Sequence, residues 1–278
     1  MDLSTKIEFV NLSDTGRKRP HNEDSSIIDP EIGLALVADG MGGYKAGEVA
    51  SAIAAKAILD VVRGESKISH SSDPSEGRAA LSPEALLVRD SIIDANRHIF
   101  KTATEVPQCH GMGTTVVAVF FYNNTAIIAH VGDSRVYRYR DDELAQVTSD
   151  HSLVQELIVR GFFTPEEAEA NTPKNLVTRA LGIDATVEVD VTEQATRPGD
   201  IYLLCSDGLN DMVDDEEIRL TLSKYSTNLV QAAHELVRLA NESGGEDNIS
   251  VVLARPRAPF PANVGIFSKL TSLLTTGS

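Results

Sequence analysis

The sequence predicts a layered α+β domain whose sheet is at least partly antiparallel. Three observations carry this expectation. Short runs rich in Val and Ile recur along the chain, Asn123-Asn124 and Asp141-Asp142 stand where two-residue hairpin turns would fall, and helical patterns come in groups instead of alternating with strands. Strands joined by so tight a turn pair antiparallel, because a parallel partner needs a crossover of about a dozen residues or more. With 278 residues and 42% hydrophobic side chains the chain can bury a substantial core, and no linker-like stretch interrupts residues 5–255, which read as one domain.

Taken in order, the first strand patterns cover residues 7–10 and 33–38. Val49, Ile53, Ala57 and Val61 recur every fourth residue and predict a helix over 48–63. A polar Ser/Gly-rich loop at 64–82 separates it from a second helix over 83–104, marked by Leu86, Leu87, Ile92, Ile93 and Ile99. Strands follow at 115–122, 125–131, 135–139, 187–191 and 201–205, then helices at 215–222 and 228–241 and a last strand at 249–253. Beyond residue 255, Pro256, Pro259 and Pro261 interrupt regular structure, while Ile266, Phe267, Leu270, Leu273 and Leu274 recur at helical spacing. Residues 256–278 therefore read as a tail.

Charge and motif spacing exclude several functions. Lys and Arg number 25 against 41 Asp and Glu, a formal charge of −16 that repels nucleic acid and anionic lipid. Cys109 and Cys205 form no C-x-x-C pair, so neither a disulfide framework nor a zinc site is indicated. Neither cysteine has an arginine six residues on, as a cysteine phosphatase would need, since Thr115 and Asp211 occupy those places. A phosphate loop and a G-x-S-x-G elbow are also missing, and His130 and His151, which flank Gly132-Asp133-Ser134, read as structural. No apolar run reaches about 18 residues, and the opening Met-Asp-Leu-Ser-Thr-Lys has no apolar core, so a cytoplasmic monomer without a membrane span is expected.

The informative feature is carboxylates at strand ends. Residues 33–38 run into Asp39-Gly40, residues 201–205 into Ser206-Asp207-Gly208 and residues 127–131 into Gly132-Asp133, and Asp247 immediately precedes the last strand. A single Asp-Gly is usually a turn. If all four acids converge within about 5 Å, each pair repels by roughly 3 kcal/mol at an effective dielectric of 20, so a cation is required. Oxygen ligands without His or Cys companions suit a hard ion, Mg2+ or Mn2+, and the absent Cβ of Gly40 would let its carbonyl approach it. Arg17-Lys18-Arg19, just before Glu23-Asp24, adds guanidinium groups able to clamp phosphate, and the combination suggests phosphate-ester chemistry.

These residues belong to an ordered set: Arg19-x-x-Asn22-Glu23-Asp24, Asp39-Gly40-Met41-Gly42-Gly43, Gly113-Thr114-Thr115, Gly132-Asp133-Ser134-Arg135, Asp150-His151-Ser152, Ser206-Asp207-Gly208 and Gly245-Glu246-Asp247-Asn248. The set spans about residues 6–254 and resembles the PPM (PP2C-type) protein serine/threonine phosphatases, with Asp-Gly-Met-Gly-Gly similar to the bacterial branch. The resemblance implies a PP2C-like β-sandwich of two antiparallel sheets flanked by helix pairs, in α-β-β-α layers. It implies two Mn2+ or Mg2+ ions, with Asp39 bridging, Asp207 and Asp247 completing the first site, and the Gly40 carbonyl with Glu23 and Asp24 serving the second. Asp133 with Asp207 resembles a third, looser site, and Arg19 corresponds to the phosphate-binding arginine. A metal-bridging hydroxide would attack phosphoserine or phosphothreonine directly. Phosphorylated proteins, including a serine/threonine kinase or its substrates, would be the partners.

Two features of the resemblance stay open. Many relatives outside the bacterial branch have His where Met41 stands, and a thioether cannot donate a proton to the leaving group. Residues 153–182 resemble a flap beside the active site, which would influence substrate choice. The competing expectation is a catalytically silent PPM-like module that binds phosphoproteins or serves regulation; a two-metal nuclease is disfavoured by the charge and the absence of a basic stripe.

Overall fold

The central strands are apolar at nearly every position, so both of their faces must be covered. The computed structural model describes residues 2–43, 46–65, 81–173 and 176–261. In chain order they form strands β1 (Ile7–Asp14), β2 (Asp24–Asp29) and β3 (Leu34–Met41), then helices α1 (Ala46–Glu65) and α2 (Pro83–Glu105). Strands β4 (Gly113–Thr114), β5 (Val116–Tyr122), β6 (Thr125–Val131), β7 (Arg135–Arg140) and β8 (Glu143–Gln146) lead to short helices α3 (Leu153–Val159) and α4 (Pro165–Asn171). Strands β9 (Asp190–Ala195) and β10 (Ile201–Cys205), helices α5 (Asp207–Asn210), α6 (Asp215–Lys224) and α7 (Leu229–Glu242), and strand β11 (Ile249–Pro256) complete the fold.

One sheet has the order β1-β11-β10-β7-β8 and the other β2-β3-β5-β6-β9, with β4 on β3, and every ladder is antiparallel. Strand alternation sorts the core into layers. Leu34, Leu36 and Ala38 of β3 and Val116, Ala118 and Phe120 of β5 pack under α1 and α2. Ile201, Leu203 and Cys205 of β10 and Val251 and Leu253 of β11 pack under α6 and α7. The intervening residues, Ala35, Val37, Val117, Val119, Tyr202, Leu204 and Val252, meet between the sheets. The expected α-β-β-α layering is the observed one.

Both hairpin turns are as expected: Asn123 and Asn124 have φ of 47° and 59°, and Asp141 and Asp142 of 52° and 64°, so both central residues are left-handed as a type I′ turn requires. Three expectations shift. The buried stripe of α1 is Ala50, Ala54, Ile58 and Val62, one residue on from the expected one, and Val49 is exposed, because the small alanines permit close approach to β3 and α2. The strand expected at 187–191 begins at Asp190; Val187 and Val189 pack on the α1/α2 core, and it is pairing with β6 that sets the ladder. Edge strand β2 escaped the sequence reading because it is half-buried and paired here only with β3, so Asp24-Ser-Ser-Ile-Ile-Asp29 carries no apolar run. Helices α3 and α4 were also unforeseen; each is seven residues long and started by a capping hydroxyl, Ser152 or Thr164.

The packed chain continues past residue 255. Arg257 donates its amide to the Lys6 carbonyl, the Phe260 amide donates to Asn124 Oδ1, and the Phe260 ring stands edge-on to Phe121 at 6.1 Å. The helical pattern at 266–274 lies outside the described residues. Among the described residues no helix is long and apolar enough to cross a membrane.

Phe260 is 1% exposed, so Phe260→Ala is expected to lower the free energy of unfolding by about 3–5 kcal/mol in urea denaturation. A loss below about 1 kcal/mol would place the end of the core at β11.

Candidate metal centre

Antiparallel pairing sets the start of one strand beside the end of its neighbour, and the expected acids gather at such a place. Asp24, opening β2, is the direct cross-strand partner of Asp39 near the end of β3. Asp207 follows β10 and Asp247 precedes β11, antiparallel neighbours in the five-stranded sheet. Two side chains tie the sheets together there. Ser206 Oγ donates to Asp24 Oδ2 at 2.8 Å, and Asn248 accepts the Glu23 amide at 2.7 Å while donating to the carbonyls of Thr15 and His21 at 2.9 Å. The loop carrying Arg19 is thereby fastened to the end of β11.

Asp39 is held by its backbone. Its carbonyl accepts the Thr115 amide at 2.9 Å and Thr114 Oγ1 at 2.8 Å, and its amide donates to Thr115 Oγ1 at 3.2 Å. Thr115 Oγ1 also bonds Ser134 Oγ at 2.7 Å, which connects Asp39 to the turn bearing Asp133. The Gly40 amide donates to the Glu23 carbonyl at 3.2 Å. A Cβ there would stand 2.1 Å from the Gly47 carbonyl oxygen, so glycine also lets α1 begin against β3. Arg19, half exposed, donates through Nη2 to Asp247 Oδ2 at 2.6 Å.

The electrostatics show that the acids are close. Burial, then the charges of Asp24, Asp207, Asp247 and Asp133, push Asp39 well above the usual carboxylate range. Burial and the charges of Asp133, Asp211, Asp247 and Asp24 push Asp207 up to about 8. Asp24 and Asp133 are each raised to about 6, chiefly by burial, and burial raises Glu23 despite the nearby charge of Arg19. Asp24 Oδ1 and Asp207 Oδ1 are buried without a hydrogen-bond donor. Acceptor oxygens that are crowded, buried and undonated fit a hard divalent cation, and the donor set is all oxygen. All eight expected site residues thus lie at one end of the sandwich.

A cavity of about 580 Å³ opens beside Asp133 and Asp207, lined also by Asp211, Asp214, Ser152 and Val154. Val154 belongs to α3, so the start of the 153–182 segment lines this cavity. Asp211 was not among the expected site residues. It caps α5, its amide donating to the Asp207 carbonyl at 2.9 Å, and the four-residue spacing from Asp207 is the signal that places both carboxylates on one helical face.

Comparison with known proteins identifies the family. Residues 18–253 match the family model described as protein phosphatase 2C. The chain is 39% identical over 249 residues to serine/threonine protein phosphatase PstP of Mycobacterium tuberculosis, an alignment covering 89% of this chain and 45% of that protein; it thus spans less than half of that relative's length. It is 38% identical over 246 residues to serine/threonine phosphatase stp of Listeria innocua, covering 87% of this chain and 92% of that one. The crystal structure of the catalytic domain of PstP in complex with two manganese ions is similar with a TM-score of 0.75 at 37% identity, over 90% of this chain and 98% of that one.

A carboxyl whose pKa is raised by folding keeps a proton that the unfolded chain has already released, so stability falls as pH rises from the unfolded value of about 4 to the folded one and levels off above it. With Asp207 at about 8 and Asp39 well above its ordinary value, the metal-free protein is expected to lose stability as pH rises toward about 8, read most cleanly from about 6.5 upward. This window lies above the range in which His130 and His151, both lowered mainly by burial, act in the opposite sense. Thermal melts in EDTA test it: Asp207→Asn should flatten the slope, and Mn2+ at about a hundred times its Kd should raise the wild-type Tm by roughly 5–10 °C. A slope of the same size in Asp207→Asn would contradict the crowding.

Proposed function

The chain belongs to the protein phosphatase 2C family, and on that footing we propose that it hydrolyses phosphoserine and phosphothreonine in proteins at the acidic end of its sandwich, with Mg2+ or Mn2+. The observation that carries this reading is the gathering of Asp24, Asp39, Asp133, Asp207 and Asp247 around buried oxygens that no donor satisfies.

In this reading Asp39, Asp207 and Asp247 would hold one ion, and Asp39, the Gly40 carbonyl, Glu23 and Asp24 would serve a second, directly or through water. Asp133 and Asp207 would serve a third. When bound, such ions supply positive charge and acidify a water molecule enough for attack on phosphorus. Arg19, bonded through one nitrogen among the described residues, keeps the rest of its planar fork for the phosphoryl oxygens, where charge must be offset as the serine or threonine oxygen departs. Phosphate monoesters are among the slowest uncatalysed hydrolyses, so this concentration of charge is proportionate to the reaction. A cysteinyl-phosphate route has no support: burial pushes the Cys205 thiol up to about 12, and Cys109 has no arginine at the required spacing. Phosphorylated proteins, a serine/threonine kinase or its substrates among them, are the proposed partners, and the protein acts as a cytoplasmic monomer.

Phosphate release from a phosphothreonine peptide is expected with Mn2+ and is lost in EDTA. Asp39→Asn should lower the rate at least about a hundredfold, and Arg19→Ala should lower kcat/KM by about a hundredfold. Activity that survives chelation or Asp39→Asn defeats the proposal. Mn2+ binding with no turnover of any phosphoester would instead identify a silent phosphoprotein-binding module.

A further inference from the structure

Behind Asp133 lies a second group of titratable side chains. His130, near the end of β6, stacks on His151 with ring centroids 4.6 Å apart and planes 16° from parallel. His130 is also the cross-strand partner of Asp190 in β9, and ligand-type atoms of His130, His151 and Asp190 all lie within 4.8 Å of one another. The set has the composition of a metal site, but its hydrogen bonds assign it otherwise. His151 Nδ1 accepts the Gly132 amide at 3.0 Å, so the hydrogen of the neutral ring sits on Nε2, toward Asp190 Oδ2 at 3.4 Å. No lone pair remains on that nitrogen for an ion. A cation is already present: Arg179 Nη1 stands 2.8 Å from Asp190 Oδ1 and 3.0 Å from His151 Nε2.

His151 therefore grips two segments at once. On one side it brackets Gly132, whose amide donates to the ring and whose carbonyl accepts the His151 amide at 3.0 Å. Gly132 has φ of +107°, and a Cβ there would lie 2.6 Å from the Thr115 side chain, so this backbone is fixed by glycine and by His151 together. The next residue is Asp133. On the other side the His151 carbonyl accepts the Thr178 amide at 2.8 Å, beside Arg179, and Leu181 exchanges hydrogen bonds of 2.8 and 3.1 Å with Thr114.

We propose that His151 is a positioning residue that couples the end of the 153–182 segment to the carboxylate of Asp133, its Nδ1 fixing the Gly132–Asp133 turn while its carbonyl, which accepts the Thr178 amide, and its Nε2–H, directed at the Asp190 carboxylate that Arg179 also holds, fix the segment. The proposal rests on the metal-centre reading for the role of Asp133. Loss of such an orienting contact typically costs about tenfold to a hundredfold in metal affinity or activity.

Two variants separate acceptor from ring. His151→Phe keeps a ring to stack on His130 but offers no acceptor; His151→Asn places an acceptor oxygen near the Nδ1 position but reaches neither Asp190 nor Arg179. Direct Mn2+ titration, read from the paramagnetic resonance of the free ion, is expected to show affinity roughly tenfold to a hundredfold weaker in His151→Phe and restored toward wild type in His151→Asn. Hydrogen exchange at the Thr178 and Leu181 amides of the metal-free protein is expected to accelerate in both. Wild-type Mn2+ affinity and wild-type exchange in His151→Phe would overturn the proposal, as would a His151→Asn variant no better than His151→Phe, which would leave His151 a packing role only. Neither readout needs turnover, so an inactive wild-type protein would defeat the phosphatase reading while these measurements still decide the coupling.

Discussion

Like charge withdrawn from water is the constraint around which this molecule is arranged. Asp24, Asp39, Asp133 and Asp207 are raised first by burial, and the charges of neighbouring acids drive them further. One pair of carboxylates about 5 Å apart repels by roughly 3 kcal/mol at an effective dielectric near 20, against a typical net domain stability of about 5–15 kcal/mol. Such a cluster persists only if the backbone beneath it is over-determined. That support comes from neutral groups: Thr114 and Thr115 fasten the Asp39 peptide, and Asn248 fastens the loop that brings Arg19. Ser206 donates to one oxygen of Asp24, and the other has no donor among the described residues.

The sandwich accommodates this because its apolar cores lie elsewhere. Three layers of buried side chains, two under the helix pairs and one between the sheets, hold the strands in register along their length. Polar chemistry is confined to the strand ends, where the chain turns and no ladder is interrupted. Each sheet supplies part of the cluster, β2, β3 and β6 from one and β10 and β11 from the other, so the site exists only while the sheets are packed face to face. Stability of the inter-sheet core and geometry of the acids are therefore one property.

Neutral hydrogen bonding also reaches beyond the acids. His151 fixes the peptide before Asp133 through a ring that burial keeps below its usual pKa, and the chain around Thr178 through its backbone carbonyl. The same three elements, β6, β9 and the segment ending at Leu181, meet at this point, so a rearrangement of the segment is felt by the turn that carries a candidate ligand. In this protein the border of the cavity and the acidic cluster are parts of one hydrogen-bonded structure.

Much of this was legible in one dimension. Hairpin turns at Asn123-Asn124 and Asp141-Asp142, the helix pairs and the acid-at-strand-end pattern depend on local chemistry, namely positive φ, periodicity and Asp-Gly turns, and each was found in place. The ordered motifs named the family and, through it, the site residues. What sequence could not supply was contact between distant segments. The polar edge strand β2 lacked an apolar run, the helical face of α1 was misjudged by one position, and the grip of His151 on Gly132 had no local signature. Composition and spacing determined which residues could bind a hard cation, because that is a property of side-chain chemistry. Only tertiary structure decided that Asp24 faces Asp39 and that Ser206 reaches across to Asp24, because register and sheet packing are fixed by burial summed over the whole core and not by any neighbour in the chain.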